Sequence, residues 1–595
     1  MSLALLAMVG WNARAQISER GLPLSMQSKT ADQYVPVSNF SLPDWETARQ
    51  KAEKEELAGI TKPYLVALPV AADISFPTSG TLVQQENGQQ IWKAQVHIAN
   101  APALAFNYDH FKLPEGVKLY LSNANGQHIV GGYTVQNNSP DGHFANEPVQ
   151  GDIVNLEMNI DRGVNIQDIQ LHIYKIFVYF RSYEYLNQYA GDNSTQAKPT
   201  GDPDPFNLEG SSSTCGINAI CPLGANYPKQ RKATVQMLSN GGACSATMIN
   251  NTGNTEADCK QYLLTATHCD GANDTANSHF TEFLFRFNFE KTQCTGGPAA
   301  TVNTLQGANF KARANYVETP FPQINGDFLL LQVRQHIPTD WDIYFAGWNR
   351  ATSMPSPIVY PKRYIGFHHP AGDVKKVSMS NDIDPNGEAG GSLGPGTHWQ
   401  IYPIDSGGIE GGSSGSGLFD GDGRLIGIAS VAGEPRPSCN VSGKGQPSSF
   451  FRYVAYSKLS LDWDYAQDGT ANYRRLQPWL DPTNSGVMTM DAVKSNCTGG
   501  VGISNTARND FSNSISVYPN PVTNGIVTAK VNFKQNTDLT VEIYNVAGAR
   551  QAVYNLANTQ SGSYTFNLNG LANGMYLLKF SNGDTFATRK VMLQR

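Results

Sequence analysis

The sequence has little charge and no long apolar run, and both absences exclude whole classes of protein. Asp, Glu, Lys and Arg make up 16% of its 595 residues, and the formal net charge is −6. No Lys/Arg cluster stands out, so we expect no nucleic-acid partner. The N-terminal apolar run "LALLAMVGW" is too short to cross a bilayer, and no other stretch is a candidate for a membrane span.

Cysteine is absent from the first 214 residues, and all eight cysteines lie between Cys215 and Cys497. No C-x-x-C pair and no H-E-x-x-H motif occurs, which argues against a zinc site. The sequence assigns no metal ligands and no cofactor, and it leaves a structural calcium ion open. The apolar run near the N-terminus is followed by Ala13-Arg14-Ala15, an A-x-A cleavage site that predicts a signal peptide over residues 1–15. Export and an even cysteine count together favour disulfides, confined here to one domain.

The remaining composition predicts an all-β multidomain chain, because Gly and Asn are plentiful and aromatic and β-branched residues are common. In the N-terminal part, "VKLYLSNANGQHIVGGYTV" predicts a hairpin through Asn125-Gly126 within a β-sandwich. The preceding "PDWETARQKAEKEEL" predicts one charged, solvent-facing helix. Two polar stretches without periodicity are predicted linkers, the first of them exposed to proteases. The predicted divisions are a signal peptide (1–15), an N-terminal region with the β-sandwich (16–200), a first linker (201–214), a central domain with the predicted disulfides (215–491), a second linker (492–511) and a C-terminal β-domain (512–595).

Three stretches of the central domain carry candidate catalytic residues. His268 follows an apolar run in "YLLTATHCD", Asp327 precedes one in "NGDFLLLQV", and Ser414 lies in the Gly-rich "GGSSGSGLFD". Each stretch has a more common explanation when it is taken singly. A lone histidine is more often structural, an aspartate before a strand is more often a turn residue, and a Gly/Ser run is more often a flexible linker. A catalytic serine, however, needs a histidine base that a carboxylate orients. No histidine follows His398, which excludes the Ser-before-His order of α/β-hydrolases, and the order found is that of chymotrypsin-like proteases.

Residues 215 to about 491 resemble the trypsin-like serine proteases of the lysyl endopeptidase group. "CGINAICPLG", "SATMINNT", "YLLTATHC", "FHHPAGDVKKVS", "EGGSSGSGLFD" and "QPWLDP" occur in the order of that group. The resemblance implies a chymotrypsin-like double β-barrel with the active site in the cleft between the barrels, and a secreted serine endopeptidase. Ser414 would be the nucleophile, His268 the general base and Asp327 its orienting carboxylate. Backbone N–H groups of Gly412 and Ser414 would form the oxyanion hole.

The residue before the nucleophile is Ser413, where proteases that activate through a new N-terminus have Asp, so we expect no such activation here. His368-His369 also lies in this domain, and adjacent strand residues point to opposite faces, which favours structural roles over a shared metal ion. The resemblance further implies three disulfides, with Cys259 and Cys497 left either to pair with each other or to stay free. The implied pairs are Cys215–Cys439, Cys221–Cys294 and Cys244–Cys269.

The specificity pocket departs from the group. Lysyl endopeptidases have an Asp at the base of this S1 pocket, and "KGQPSSFFRYV" places Ser448 or Ser449 there. The group's histidine on the strand after the nucleophile appears as Ser430, and Gly408 stands where trypsin has its specificity carboxylate. A buried lysine head without a carboxylate is costly, so we predict that the P1 residue is not restricted to Lys. Two acidic residues could still reach the pocket, Asp405 and Glu410.

The flanking domains also show resemblances. "FKLPEGVKLYLSNANGQHIVGGYT" resembles the pro-region that precedes proteases of this group, which implies help in folding and cover over the cleft until cleavage between about Asp192 and Thr214. A permanent carbohydrate-binding module is the alternative. "VYPNPVTNG" and "LNGLANGMYLLKFSNGDTFATRKVML" resemble the C-terminal sorting domain of the type IX secretion system of Bacteroidetes-type bacteria, which implies transport through the outer membrane. The alternative is a small adhesive Ig-like domain.

Together these features predict a secreted or surface-attached serine protease of a Gram-negative bacterium, made as a zymogen and acting as a monomer on protein and peptide substrates. Its partners would be its own pro-region and the type IX secretion machinery. The prediction from a different class is a catalytically inactive protease fold that serves as a surface binding or adhesion protein. An intact set of His268, Asp327 and Ser414 argues against that alternative.

Overall fold

The structure is a computed structural model in which four-fifths of the chain is described. The predicted signal peptide, most of the first linker, Cys215, Cys439 and the Ser448-Ser449 pair lie outside the described residues. Within the described ranges, no helix has the length and apolar character needed to cross a membrane. The described residues are 18–19, 21–27, 34–57, 62–181, 212, 216–295, 302–316, 326–354, 363–387, 396–402, 404–435, 451–465, 469–497, 511, 514–533, 536–546, 549–582 and 586–595.

The N-terminal domain is a β-sandwich, as the sequence predicts. Its elements are α1 (Leu24–Gln27), β1 (Val37–Asn39), α2 (Trp45–Leu57), β2 (Tyr64–Leu65), β3 (Ala67–Ser75), β4 (Thr81–Gln84), β5 (Gln90–His97), β6 (Ala103–Lys112), β7 (Val117–Asn123), β8 (Ile129–Tyr133), β9 (Phe144–Ala145), β10 (Val149–Gln150), β11 (Ile153–Ile160) and β12 (Gln170–Tyr179). One sheet has the order β1-β5-β11-β7-β8 with β4 beside β5, and the other has β10-β6-β12-β3 with β9 beside β6. Large apolar side chains such as Trp92, Phe106 and Leu119 fill the core.

Two local predictions are confirmed in this domain. The hairpin β7–β8 turns through Asn125-Gly126, where Gly126 has a φ of +70° that favours glycine. The predicted charged helix is present as α2. Its C-terminal turn, however, faces the central domain and not solvent alone. Glu56, in its last turn, approaches Gly411 of the central domain, and Trp45 at its start stacks on Phe180 with ring centroids 5.8 Å apart.

The central domain consists of two large antiparallel sheets. Its elements are β13 (Ile217–Asn218), α3 (Pro222–Ala225), α4 (Pro228–Ala233), β14 (Thr234–Ser239), β15 (Gly242–Ile249), β16 (Tyr262–Thr265), β17 (Leu284–Phe287), β18 (Asn303–Gln306), β19 (Ala308–Arg313), β20 (Leu329–Val333), β21 (Tyr344–Phe345), β22 (Trp348–Asn349), β23 (Tyr364–His368), β24 (Lys376–Ser380), β25 (Asp384–Gly387), β26 (His398–Ile401), β27 (Gly417–Phe419), β28 (Leu425–Pro435), β29 (Phe451–Lys458), α5 (Leu459–Trp463), α6 (Gln477–Leu480), β30 (Thr489–Met490) and β31 (Val493–Lys494).

The first sheet has the order β18-β17-β14-β15-β16-β20-β19, and β2 of the N-terminal domain joins it on β15. The second has the order β13-β24-β23-β27-β28-β29-β26-β25, with β22 beside β28 and β30 beside β22. The inner strands of both sheets, such as β14, β15, β23 and β27, are wholly buried. One apolar cluster runs from Val235 and Leu264 in the first sheet to Phe367 and Ile428 in the second. The two sheets are the two β-barrels that the resemblance implies, so the predicted all-β multidomain class is confirmed.

The central domain continues into the predicted second linker. β31 pairs with β21, and a disulfide joins Cys497 to Cys259 in the loop before β16. Residues 493–497 are therefore attached to the central domain by strand pairing and by a covalent bond.

The C-terminal domain is a smaller β-sandwich with its own core. Its strands are β32 (Ile515–Tyr518), β33 (Ile526–Val531), β34 (Thr537–Asn545), β35 (Arg550–Thr559), β36 (Gly562–Asn567), β37 (Gly574–Ser581) and β38 (Phe586–Leu593). They form the sheets β32-β33-β36 and β35-β34-β37-β38. Alternate residues such as Val541, Ile543 and Leu578 face the core between the sheets, which is the period-2 pattern of a two-layer sandwich.

Candidate active site

His268 lies in a single turn of 3₁₀ helix, Thr267–Cys269, that directly follows the buried strand β16. Its side chain is fully buried. The disulfide Cys244–Cys269 ties this turn to β15 from the neighbouring residue. The apolar run that precedes His268 in the sequence therefore forms an interior strand, and the histidine is presented at the end of that strand.

Asp327 holds the ring of His268 from the neighbouring strand of the same sheet. It immediately precedes Phe328 and β20, and its carboxylate is fully buried. Oδ2 accepts a hydrogen bond from Nδ1 of His268 at 2.7 Å, and Oδ1 accepts one from the backbone N–H of His268 at 3.3 Å. Burial works against ionisation, but the charge and hydrogen bonds of His268 and a hydrogen bond from Ser430 outweigh it and lower the pKa of Asp327.

The remaining ring nitrogen of His268, Nε2, is buried and has no hydrogen-bond partner among the described residues. It is the atom that a catalytic histidine turns toward the nucleophile and the substrate. Because Asp327 occupies Nδ1, the ring carries its proton there when neutral, and Nε2 is then left as an acceptor. Such an acceptor is what a base for an incoming hydroxyl proton requires.

Ser414 lies on the other sheet, in the loop that leads into β27. Its carbonyl accepts a hydrogen bond from the backbone N–H of Ser245 at 2.8 Å, which fixes the loop against β15 of the first sheet. The residue is half-buried, whereas its neighbours Ser413 and Gly415 are buried. Neither Gly412 N–H nor Ser414 N–H donates a hydrogen bond to any described residue. Two unused backbone donors beside a serine form the kind of site that accepts an oxyanion.

Glycine is required on both sides of Ser414. Gly412 has a φ of +90°, and a Cβ there would lie 2.8 Å from the carbonyl oxygen of His369. Gly415 has a φ of +81°, and a Cβ there would collide with the side chain of Thr265. The sequence Gly-Ser-Ser-Gly therefore forms a tight turn between the two sheets, because only glycine fits those positions.

Ser413 and the two adjacent histidines support this turn without forming a common site. Oγ of Ser413 is 2.9 Å from Nδ1 of His368, whose pKa is lowered to about 3 by burial and by the charge of Lys376. His369 stacks on Phe289, and its Nδ1 is 3.0 Å from the carbonyl oxygen of Asp373. A neutral serine–histidine contact thus occupies the place where an activation aspartate would stand.

The predicted specificity residues are spread over different environments. Gly408 is buried beside the Ser414 loop. Ser430 is buried on β28, and its Oγ donates a hydrogen bond to Oδ2 of Asp327 at 2.6 Å, so its hydroxyl faces that carboxylate. Asp405 is exposed and accepts a hydrogen bond from the backbone N–H of Asn381 at 2.7 Å, whereas Glu410 is buried.

The described cysteines form three disulfides. Cys221–Cys294 and Cys244–Cys269 are present as the resemblance implies. Cys259 and Cys497, for which the sequence left two possibilities, are bonded to each other. The implied pair Cys215–Cys439 falls on residues that the structure does not describe.

Arg313 is a site residue that the sequence did not reveal. Its guanidinium is fully buried and donates to Oδ2 of Asp270 at 2.7 Å, to Oγ1 of Thr267 at 2.8 Å and to the carbonyl of Asp274 at 2.8 Å. It therefore braces the turn that carries His268 from behind. An arginine in "FKARANY" carries no signal of this role, because its partners lie more than 35 positions earlier in the chain.

Asp327 is also held in place by residues that the sequence did not reveal, Ser457 and Asp462. Its backbone N–H donates to Oγ of Ser457 at 3.0 Å, and that oxygen lies 2.9 Å from Oδ2 of Asp462. Burial raises the pKa of Asp462 well above its usual range. Burial therefore works against a second negative charge next to Asp327.

The N-terminal domain covers one end of this site. β2 pairs antiparallel with β15, so that Tyr64 stands opposite Ala243, one residue before the cysteine linked to the His268 turn. A Cβ on Gly411 would lie 2.8 Å from the ring of Tyr64, which therefore rests on the loop next to Gly412. A cavity of about 400 Å³ lies beside this contact, lined by α2, Pro63, Gly242 and Asp270.

Two β-barrels, a buried His–Asp pair on the first and a Gly-rich serine turn on the second make up the candidate site. Residues 209–448 match the family model of the lysyl endopeptidase C-terminal domain. Residues 516–594 match the model of the secretion system C-terminal sorting domain. The chain therefore contains one region similar to the lysyl endopeptidase C-terminal domain and one similar to a secretion sorting domain. The sorting domain assigns the protein to the outside or the surface of a Gram-negative cell.

A curated relative is the lysyl endopeptidase of Pseudomonas aeruginosa, which is 27% identical over 354 residues. That match covers 55% of this chain and 66% of the relative, so the chain spans just under two thirds of the relative's length. Among solved structures, the secreted serine protease VesC from Vibrio cholerae is 12% identical, with a TM-score of 0.25 over 61% of this chain and 69% of that chain. A score that low does not bear on the fold of this chain.

Proposed function

We propose that the protein is a secreted serine endopeptidase in which Ser414 is the nucleophile, His268 the general base and acid, and Asp327 the residue that orients His268. The observation that carries this proposal is the buried His268–Asp327 pair, joined at 2.7 Å, with Nε2 of His268 left free. The unused N–H groups of Gly412 and Ser414 supply a place for the oxyanion.

In this mechanism the Oγ proton of Ser414 passes to Nε2 of His268 as the oxygen attacks the substrate carbonyl. Asp327, held ionised by its hydrogen bonds, stabilises the imidazolium that results. The N–H groups of Gly412 and Ser414 bind the developing negative charge, an effect whose loss typically costs about 100-fold to 1,000-fold in rate. His268 then protonates the leaving amine, and water hydrolyses the acyl-enzyme by the same steps with the roles reversed.

We propose that the P1 residue is not restricted to Lys. Gly408 brings no carboxylate to the pocket, the hydroxyl of Ser430 is turned to Asp327, and the carboxylate of Asp405 is held at the surface by Asn381. Peptides that differ only in having Lys, Leu, Ala or Glu at P1 test this. A preference for Lys of about 100-fold or more in kcat/KM would contradict the proposal and would point to Glu410.

Labelling with a fluorophosphonate probe tests the nucleophile. We expect the wild-type protein to be labelled and Ser414→Ala to be unlabelled. Ser413→Ala is the matched control, since it removes the neighbouring hydroxyl, and it should still be labelled although more slowly because its contact with His368 is lost. A processed wild-type protein that takes no label would instead support the inactive protease fold that serves as a binding protein.

We further propose that the N-terminal domain is a pro-region that occupies the cleft rim of its own protease domain. One support is an apolar cluster shared by the two domains, to which the N-terminal domain contributes Val66, Ala67 and Phe177 and the central domain Leu238 and Leu284. The backbone N–H groups of Val66 and Ala67 both donate to the carbonyl of Gly241, at 2.8 and 2.9 Å. Burial of this kind is worth about 25 cal/mol per Å² of apolar surface.

The same interface contains two carboxylates with partners across it, Glu147 buried and Glu282 partly buried. Glu147 of the N-terminal domain accepts hydrogen bonds from Nε of Arg286 at 2.9 Å and from Oγ1 of Thr304 at 2.6 Å. Glu282 of the central domain accepts one from the hydroxyl of Tyr174 at 2.9 Å and lies 3.0 Å from Nδ1 of His143. A charged group buried on one domain and satisfied by the other favours one docked geometry.

The sorting domain is proposed to engage the type IX secretion machinery, and the mature enzyme is proposed to act as a monomer on protein and peptide substrates. Deleting residues 512–595 and following the protein across the outer membrane tests the first statement. Sedimentation of the mature enzyme tests the second.

A further inference from the structure

Two histidines and two aspartates meet on the outer face of one sheet of the N-terminal domain. They lie on the adjacent strands β3, β12 and β6, which contribute Asp73, His172, and Asp109 with His110. His172 stands directly opposite His110 in the strand register, and the next pair is Ile173 with Tyr108. Asp109 is therefore the extra residue of a β-bulge, a feature that often redirects a side chain at a functional position.

The bulge brings three ligand atoms together. Oδ1 of Asp109 lies 2.5 Å from Nδ1 of His172 and 2.9 Å from Nδ1 of His110. The two imidazole rings are 5.9 Å apart, centroid to centroid, and all three ligand atoms lie within 4.8 Å of one another. His110 is two-thirds exposed, while His172 and Asp109 are about one-third exposed, so an ion from solution can reach them.

We propose that His110, His172 and Asp109 form a binding site for a divalent ion of the zinc type. Two imidazole nitrogens and one carboxylate oxygen are a donor set that suits Zn²⁺, with water completing a four-coordinate shell. Asp73 supports the set from outside, because its Oδ1 lies 3.3 Å from Nε2 of His172 and so favours the tautomer that keeps the other nitrogen available.

Other histidines of the described chain lack this combination. His97 is near Asp152, at 3.9 Å, and contacts Asn39, but no second histidine stands opposite it. The group of Cys244, His268 and Cys269 has its two sulfurs joined in a disulfide, which removes them as ligands. The cluster on β6 and β12 is thus the place where the described chain brings two imidazole nitrogens and a carboxylate oxygen within reach of one borderline-soft ion. Binding would replace the hydrogen bonds that these three atoms make with one another.

An ion at this site would join the two central strands of the sheet that docks on the protease domain. Further along the same strands, Ala103, Ala105, Phe177 and Tyr179 enter the apolar cluster shared with the central domain. Binding to the folded state alone stabilises that state by RT ln(1 + [L]/Kd). Zinc is therefore expected to stabilise the N-terminal domain and, through it, the docked form.

Titration calorimetry with Zn²⁺ alone tests the site, using the full chain without a polyhistidine tag and with Ser414→Ala so that the N-terminal domain stays attached. One Zn²⁺ per chain should bind, and His110→Ala and His172→Ala should each abolish the saturable isotherm. Asp73→Ala should weaken binding by about 10-fold, as supporting residues of metal sites do. His97→Ala is the matched control and should leave the isotherm unchanged.

A thermal melt of each variant without zinc shows whether the variant is folded. Added zinc should raise the unfolding midpoint of the parent chain and of His97→Ala, but not that of His110→Ala or His172→Ala. Absence of saturable zinc binding in the parent chain overturns the proposal. So does binding that survives both histidine substitutions, or that is lost in His97→Ala. Tight binding of Ca²⁺ in place of Zn²⁺ would also overturn it, since calcium prefers all-oxygen sites.

Discussion

The two flanking domains are both β-sandwiches, yet they are related to the central domain in opposite ways. The N-terminal domain adds a strand to the first barrel, shares an apolar cluster with it and exchanges buried charged contacts with it. The described strands of the C-terminal domain pair only with one another, and its apolar cluster contains only its own residues. One flank is joined to the central domain by strand pairing and buried contacts, and the described part of the other forms a separate unit.

This difference agrees with the proposed roles. A pro-region must recognise one particular surface, and polar pairs such as the buried Glu147 with Arg286 and the partly buried Glu282 with Tyr174 provide that selectivity. A sorting domain is read by other machinery and gains nothing from contact with the enzyme that it carries.

Removing the buried charge of Glu147 should give the largest loss. In Glu147→Gln the guanidinium of Arg286 stays buried without its carboxylate, and breaking a buried pair in this way typically costs about 3–5 kcal/mol. Urea unfolding of the Ser414→Ala chain measures the loss. Glu542→Gln, which removes a partner of the half-exposed Arg550 in the C-terminal domain, is the matched control and should cost less than about 1 kcal/mol. Equal losses in the two variants would contradict the contrast.

Removing the disulfide Cys259–Cys497 should come next. It closes a long loop and fixes the end of the central domain, and losing a native disulfide commonly costs about 2–5 kcal/mol. The double variant Cys259→Ser/Cys497→Ser should therefore unfold at a lower urea concentration in the transition of the central domain. The transition of the C-terminal domain should not move, because its core contains neither residue. A shift of the C-terminal transition instead would show that the two units are coupled.

Raising the pH should loosen the N-terminal domain. The hydrogen bond to Glu282 raises the pKa of His143 above its ordinary value of 6.5, so the stabilisation is complete below that value and is lost as the pH rises through the raised pKa. Asp141, Asp109 and the ring of Tyr174 also face His143.

Ionisation of Glu56 should also weaken the docking of the N-terminal domain as the pH rises. Burial raises its pKa from 4.5 to about 7, despite the nearby charge of Arg181, so ionisation above neutral pH places a charge in the interface. The cleaved Ser414→Ala complex should therefore release its N-terminal domain more readily at pH 8 than at pH 6, as measured by size exclusion. His143→Gln should flatten part of this dependence. A complex that releases the domain on acidification would contradict the assignment of both groups.

The C-terminal domain should respond to pH with the opposite sign. Hydrogen bonds from Arg550 and Lys579 lower the pKa of Glu542 although burial opposes them. That contribution is present above the ordinary value of 4.5 and is lost as the pH falls through the lowered pKa. The two domains of one chain should therefore differ in the pH at which each is most stable.

The sequence predicted the candidate catalytic residues because each stands in a short local pattern at the end of a strand or in a glycine turn. His268 and Asp327 lie on neighbouring strands and Ser414 on the facing sheet, as their order along the chain indicates. The β-sandwich of the N-terminal domain was predictable for a similar reason, since alternation and the Asn125-Gly126 turn are local signals.

The supports of the site were not predictable, because they join distant segments. Arg313 reaches back to Asp270, and Glu147 meets Arg286 across a domain boundary 139 positions away. A charged residue in a polar stretch looks the same in a sequence whether it is solvated or buried opposite a partner. The contact of Ser430 was not predicted for another reason. The resemblance to the lysyl endopeptidase group suggested a position in the S1 pocket, and only the fold shows that its hydroxyl faces Asp327.

Deleting the C-terminal domain should have the smallest effect on the enzyme itself. A chain that ends at residue 511 keeps both barrels, the Cys259–Cys497 disulfide and all described contacts of the N-terminal domain with the cleft. After maturation, its kcat/KM on a peptide substrate should stay within about 2-fold of the full chain, because distant sites without shared partners act additively. Its export should fail, since the sorting domain is gone. A truncated enzyme that is exported normally but hydrolyses peptides poorly would reverse the contrast, and would place the function of this domain at the active site.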